Sequence, residues 1–330
     1  FCEMIFVVSV GSVSIPLAKV YSTLWQGIAS KNSIEGIGNG PYYDIIWLLR
    51  LPRVILAVCA GSCLAVCGVV MQAIVKNPLA DPFILGVSSG AALGATLAIF
   101  LGVGTAMGAN YIGICAFMGA LCISYLVLII ANIGNSSNPV KLLLVGMALN
   151  AACSSITSFI TYFANDKDGM QSVLFWLMGS FAGASWSQLM PIGIVTVGGI
   201  VFFCSQSRIL NMMLLGDQTA ITLGTNLKVY RQNYLLLISV MVGFVVALSG
   251  MVGFVGLIVP HIVRMLVGAN HKFLVPISAV MGGIILLTAD VLCRSMIPRL
   301  EIPVGILVSF IGAPIFAFLI ANKLGRSERG

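Results

Sequence analysis

A single-domain bundle of about ten transmembrane helices is the fold class this sequence predicts, and three observations predict it. Hydrophobic residues make up 59% of the 330 and charged residues 8%, where an average soluble domain carries about 25% charged, and the mean hydropathy is +1.07. The apolar residues fall in runs long enough for helices to cross a hydrocarbon core, about 20 residues each. No run alternates apolar with polar residues, as the strands of a membrane barrel must. A soluble globule and a barrel are both excluded, and the bundle is all-α.

Runs bounded by charges, Pro or Gly place helices near 1–14, 45–75, 83–104, 111–132, 142–164, 188–206, 233–251, 253–268, 274–297 and 303–322. The first run, FCEMIFVVSVGSV, has no initiator Met, basic region or cleavage site and reads as a clipped first span, not a signal peptide. The second is rich in small residues, with Ala60, Gly61, Ala65 and Gly68 beside Cys59, Cys63 and Cys67. The third carries Gly86, Gly90 and Gly94 at every fourth position, the small-xxx-small spacing that lets two helix backbones approach closely in lipid. The seventh contains Ala247-Leu248-Ser249-Gly250-Met251-Val252, an echo of Ala65-Val66-Cys67-Gly68-Val69-Val70 in the second. Five helices apart, the two segments make a candidate inverted repeat, the plan on which transporters build a path. No Pro/Gly/Ser-rich linker interrupts the series, so one membrane domain fills residues 1–330.

Lys and Arg number 17 against 10 Asp plus Glu. The cations stand singly between apolar runs, with no basic stripe interleaved with aromatics, so nucleic acid is not the partner and membrane lipid is. With the C-terminus inside, Lys76, Lys141, Arg208, Lys228, Arg231, Arg264, Lys272, Lys323, Arg326 and Arg329 are cytoplasmic. Lys19, Lys31, Arg50, Arg53, Lys167, Arg294 and Arg299 are then outside. The majority favours this orientation, and the outer cations call for a purpose of their own. The nine cysteines lie nearly all in apolar runs and read as small buried residues rather than disulfides.

Catalytic patterns are weak. Gly86-Val87-Ser88-Ser89-Gly90 fits G-x-S-x-G, but it opens a helix instead of a strand-to-helix elbow. His261 and His271, the two histidines, have no metal or triad spacing. The thiols of Cys59, Cys63 and Cys67 share one helix face, which suits either soft metal ligation or tight packing. Asp290 and Arg294, four apart, form either a mutually neutralising pair or a functional one. The stretch from Arg208 to Arg231 holds two short helices, one around Met212 to Leu215 and one that Asp217 caps and Gly224 ends. It is either an interfacial linker or a docking platform. No phosphate loop of the G-x-x-x-x-G-K-[ST] type is present, so any ATP energy must come from another subunit. Glu3 and Asp290 are the sparse intramembrane carboxylates, which disfavours a stand-alone secondary transporter, the principal alternative.

Five segments, taken in order, resemble one family: RLPRVILAVCAGSCLAVCGVVMQ from Arg50, NPLADPFILGVSSGA from Asn77, LLGDQTAITLG from Leu214, GFVGLIVPHIVR from Gly253 and EIPVGILVSFIGAPIF from Glu301. They resemble the FecCD or BtuC-like membrane permeases of bacterial ABC importers for iron chelates, haem and vitamin B12, over about Tyr43 to Leu319. The resemblance implies ten helices per subunit, a homodimer with a second permease copy, or a pseudo-dimer, around the path, two cytoplasmic ATP-binding subunits and an external substrate-binding protein. It implies a transport subunit of the inner membrane that is not an enzyme and holds no cofactor or metal. It makes 207–231 the coupling loop, with Leu215, Gly216, Asp217, Ala220, Leu223 and Gly224 seated against the ATPase. It also assigns the docking of the binding protein to Arg50, Arg53 and Arg294. On that reading Arg53→Glu weakens docking without unfolding the permease, and ferric siderophore leads haem and cobalamin as cargo.

Overall fold

The computed structural model describes residues 7–9, 15–29, 41–108, 110–133, 139–164, 166–297 and 301–327. Among them the chain is all helix and connecting turns. In order the α-helices of six or more residues are α1 (Leu17–Ala29), α2 (Leu51–Val75), α3 (Val87–Leu101), α4 (Tyr111–Asn132), α5 (Pro139–Ala164), α6 (Lys167–Met178), α7 (Trp186–Ser205), α8 (Ser207–Leu215), α9 (Asp217–Thr222), α10 (Leu227–Ser249), α11 (Val255–Val267), α12 (His271–Ser295) and α13 (Val304–Ser327). Six described helices are long and apolar enough to cross a membrane, and three shorter apolar ones accompany them. The helix expected near 1–14 lies mostly outside the described residues.

The bundle is organised around α2, which a wider π-helical turn, Asp44–Arg50, extends into a 32-residue span. Nearly every side chain from Ala60 to Val75 is buried. Its small residues make this burial feasible. A Cβ placed on Gly61 would lie 2.2 Å from the Gly282 carbonyl oxygen of α12, and one on Gly68 would lie 1.8 Å from that of Gly256 in α11. Backbone thus meets backbone on two faces of α2, the contact that small residues permit where lipid supplies no hydrophobic drive. Gly90 and Gly94 of α3 lie the same way against Gly119 and Cys115 of α4. Gly86 does something different: it turns the chain into α3 with a φ of +73°, a conformation glycine adopts without steric cost.

Two helices escape periodicity reasoning. Amphipathic α1 buries Val20 against Ile46, Val54 and Leu287 while Tyr21 and Trp25 stay exposed. Helix α6 begins on charged Lys167 and is capped by the Asp166 carboxylate, which accepts the Asp168 N–H. The echo between helices two and seven joins positions of unlike backbone: Gly68 is mid-helix, whereas Gly250 ends α10 at φ +67°. A different repetition is visible. Long helices α2 and α10 each end on a left-handed residue, Lys76 or Gly250, and the short helices α3 and α11 each open on one, Gly86 or Phe254.

Candidate functional site

The helix termini build two charged clusters at opposite ends of α2, about 35 Å apart at 1.5 Å per residue. At the first end the three predicted docking arginines come together. Arg53 donates through Nε to Asp290 Oδ1 and through Nη1 to Glu301 Oε2, each at 2.8 Å. Arg294 Nε lies 3.1 Å from Asp290 Oδ2. Arg50 donates to the Val8 carbonyl at 2.7 Å and is near enough to Arg294 for the two charges to repel. The Asp290 side chain is 1% exposed and that of Arg53 9%, whereas Glu301 is 53% exposed.

Spacing along α12 reveals Asp290 with Arg294, but not that Asp290 is shared with Arg53, 237 positions away. Glu301 escaped sequence reasoning as a charged partner, although it opens one of the family-like segments. The expectation that Arg53→Glu leaves the fold intact needs correction. A glutamate there would face Asp290 and Glu301 in a buried site and strip Asp290 of a counter-ion.

At the other end, α8 and α9 form a platform. Leu210 and Met213 bury α8, and Ala220 buries α9. Gly216 and Gly224 bracket α9 with φ values of +105° and +77°. The Gly224 N–H bonds to Ile221 O and the Thr225 N–H to Ala220 O, closing the helix end. Asp217 does not cap α9 with its side chain as expected. Its carboxylate instead accepts from Lys76 at 3.0 Å and from Arg231 at 2.9 Å, tying the platform to the ends of α2 and α10. Partial burial alone would raise the Asp217 carboxyl, but hydrogen bonds and charges from Lys76 and Arg231 outweigh it and hold it below the usual range. The tie is therefore present at neutral pH and is lost only as pH falls through that lowered value. Leu214, Leu215, Ile221 and Leu223 project apolar side chains from the same platform, Ile221 at 68% and Leu223 at 61% exposure.

The remaining candidates sit elsewhere. Ser88 contacts the Met251 thioether and lines a cavity of about 390 Å³ with Phe83, Met178, Gly305 and Ser309. Among the described residues no histidine or carboxylate lines it, so the G-x-S-x-G pattern has neither base nor acid among them. Cys63 and Cys67 turn to Met241 of α10, where Cys63 Sγ lies 3.6 Å from the carbonyl oxygen. His271 bonds Asn211, and among the described residues no group of three His, Cys, Asp or Glu side chains comes together to hold a metal ion. In the turn after α2, Asp81 Oδ1 accepts the Phe83 N–H at 2.8 Å, and burial pushes its carboxyl up to about 6 against that hydrogen bond.

Comparison with known proteins identifies the family. Residues 2–322 match the FecCD transport family. The chain is 42% identical over 283 residues to the hemin transport system permease protein HmuU of Yersinia pestis, covering 84% of each chain. It is 38% identical over 282 residues to the vitamin B12 import system permease protein BtuC of Klebsiella pneumoniae, covering 85% of this chain and 83% of that one. Among solved structures, an inward-facing metal-chelate-type ABC transporter superposes with a TM-score of 0.79 at 32% identity, over 97% of this chain and 95% of that one. On this match and these identities the chain belongs to the FecCD transport family, as a non-catalytic, multi-pass permease subunit of the cytoplasmic membrane.

Proposed function

We propose that this permease imports a metal chelate, drawing its energy from two cytoplasmic ATP-binding subunits and its cargo from an external binding protein, as one of two identical copies around the path. The observation that carries the reading is the pairing of an arginine cluster at one end of α2 with an exposed apolar platform at the other. Such a chain has one face suited to acidic side chains and one to an apolar cleft. On this reading Leu215, Gly216, Asp217, Ala220, Leu223 and Gly224 form the ATPase contact. ATP-driven approach of the two ATPases displaces the platforms, and the path alternates its opening across the bilayer.

Docking of the binding protein on Arg50, Arg53 and Arg294 acquires a specific form. Glu301 is the exposed carboxylate on Arg53, so an incoming carboxylate competes with Glu301, not with buried Asp290. A planar guanidinium then retains paired charge-assisted hydrogen bonds throughout the exchange. For cargo, a ferric siderophore is the first expectation. Haem is the second reading, favoured by 42% identity to a hemin permease. Hemin and B12 are both metal macrocycles, which supports a chelate over a bare ion.

The test is the mass of the detergent-solubilised complex when the chain is co-expressed with its genomic neighbours, followed by uptake in vesicles. Two copies of this chain with two ATPases, and uptake that requires ATP, are expected. A lone chain whose uptake ignores ATP would overturn the reading in favour of a secondary transporter.

A further inference from the structure

Both charged ends are fastened to the same two helices. At the arginine end, Arg53 belongs to α2 and Asp290 and Arg294 belong to α12, so the ion cluster staples the two together. At the platform end, Lys76, the residue that ends α2, holds Asp217 of α9. Among the described residues, the hydrogen bonds from α8 to the first turn of α12 come from Asn211. Asn211 accepts the His271 N–H at 3.0 Å on Oδ1, which also lies 2.7 Å from His271 Nδ1. It donates through Nδ2 to Asn270 Oδ1 at 3.1 Å, the oxygen that caps α12 by accepting the Lys272 N–H. A helix start leaves its first N–H groups without intrahelical partners. Here a residue of another element completes the cap.

Between the ends, α2 and α12 have no room to slide. Their backbones touch where a Cβ on Gly282 would lie 2.3 Å from the Gly61 carbonyl oxygen, and the Ser62 hydroxyl donates to Ala279 O at 2.8 Å. We infer that α2 and α12 move as one body that carries displacement between the two faces of the membrane, and that Asn211 is the positioning residue through which the platform grips it. The inference rests on the importer reading above. It adds which elements convey the signal and which side chain fastens the platform to α12, beside the Lys76–Asp217 tie to α2; a platform that loses its hold on α12 passes less of its displacement to the arginine cluster.

The test uses the full assembly in lipid nanodiscs, this chain with its ATPase and binding protein, and the ratio of ATP hydrolysis with binding protein to hydrolysis without it. Asn211→Leu is expected to lower that ratio by about fivefold or more. Asn211→Asp keeps the acceptor for the His271 N–H and suits a helix N-terminus but sets an oxygen against Asn270 Oδ1 in place of the Nδ2 donor, so its ratio should fall between the leucine variant and the wild type. Amide exchange in the chain alone should quicken in the first turn of α12 in the leucine variant and by less in the aspartate one, which keeps the acceptor for the His271 N–H. Asn211→Ala makes the same comparison if leucine does not fit. A wild-type ratio in the leucine or alanine variant overturns the inference, as does a lost ratio with unchanged exchange. A wild-type chain that binds no ATPase refutes the importer reading instead, and the exchange measurement still decides whether Asn211 fastens α12.

Discussion

Asp290 holds two arginines at once, and its energetics set what a substitution there does. Taken out of water, each charge carries a desolvation cost that only its partners offset, so removing one partner costs more than the pair contributes. Asp290→Asn preserves size and leaves Arg53 with Glu301 alone and Arg294 without its carboxylate. The expected loss is about 3 kcal/mol, read as a lower melting temperature of the purified permease, and an unchanged melting temperature would count against the shared role. Of this cluster the Asp290 to Arg294 spacing was legible, because residues four apart on a helix are neighbours by geometry. Arg53 was legible only as a family motif, and its contact with Asp290 depends on two helices that meet far apart in the chain.

Helices α8 and α9 divide their residues by face. Ala220, Leu210 and Met213 are buried and hold the platform to the bundle, while Leu215, Ile221 and Leu223 are exposed. Leu223→Glu therefore changes what the platform presents without touching what holds it. Interface anchors of this kind are worth about 2 kcal/mol, roughly thirtyfold in Kd. ATPase retention in pull-down should fall accordingly while the permease melts as before; full retention would remove Leu223 from the contact. Turn residues made these two short helices readable in sequence, since Gly216 and Gly224 bracket the segment between them in a stretch of mixed polar and apolar residues. The partner of Asp217 was not readable. Local reasoning gave it to the α9 cap, whereas the tertiary fold brings Lys76 and Arg231 within reach and charge pairing prevails.

Across the whole molecule, backbone contact around α2 decides whether the bundle assembles. Gly61→Val would force side-chain atoms into the Gly282 carbonyl, where the nearest approach is already 2.2 Å for a bare Cβ. Overpacking typically costs about 1–3 kcal/mol where neighbours can shift, and a helix backbone cannot shift alone. We expect no monodisperse protein from Gly61→Val and an ordinary yield from Gly193→Ala on α7, whose Cβ would meet nothing within 4 Å; a well-behaved valine variant would show that α2 and α12 are not in fixed contact. The sequence by itself determined the helical class, the positions of most long helices and the small-residue character of α2, because hydrophobic burial in lipid writes itself as run length and glycine spacing. The tertiary structure alone decided which glycines meet, that Asp290 serves two arginines and that Asn211 caps a helix it does not belong to, because residues 60 to 237 positions apart become neighbours only when the helices pack.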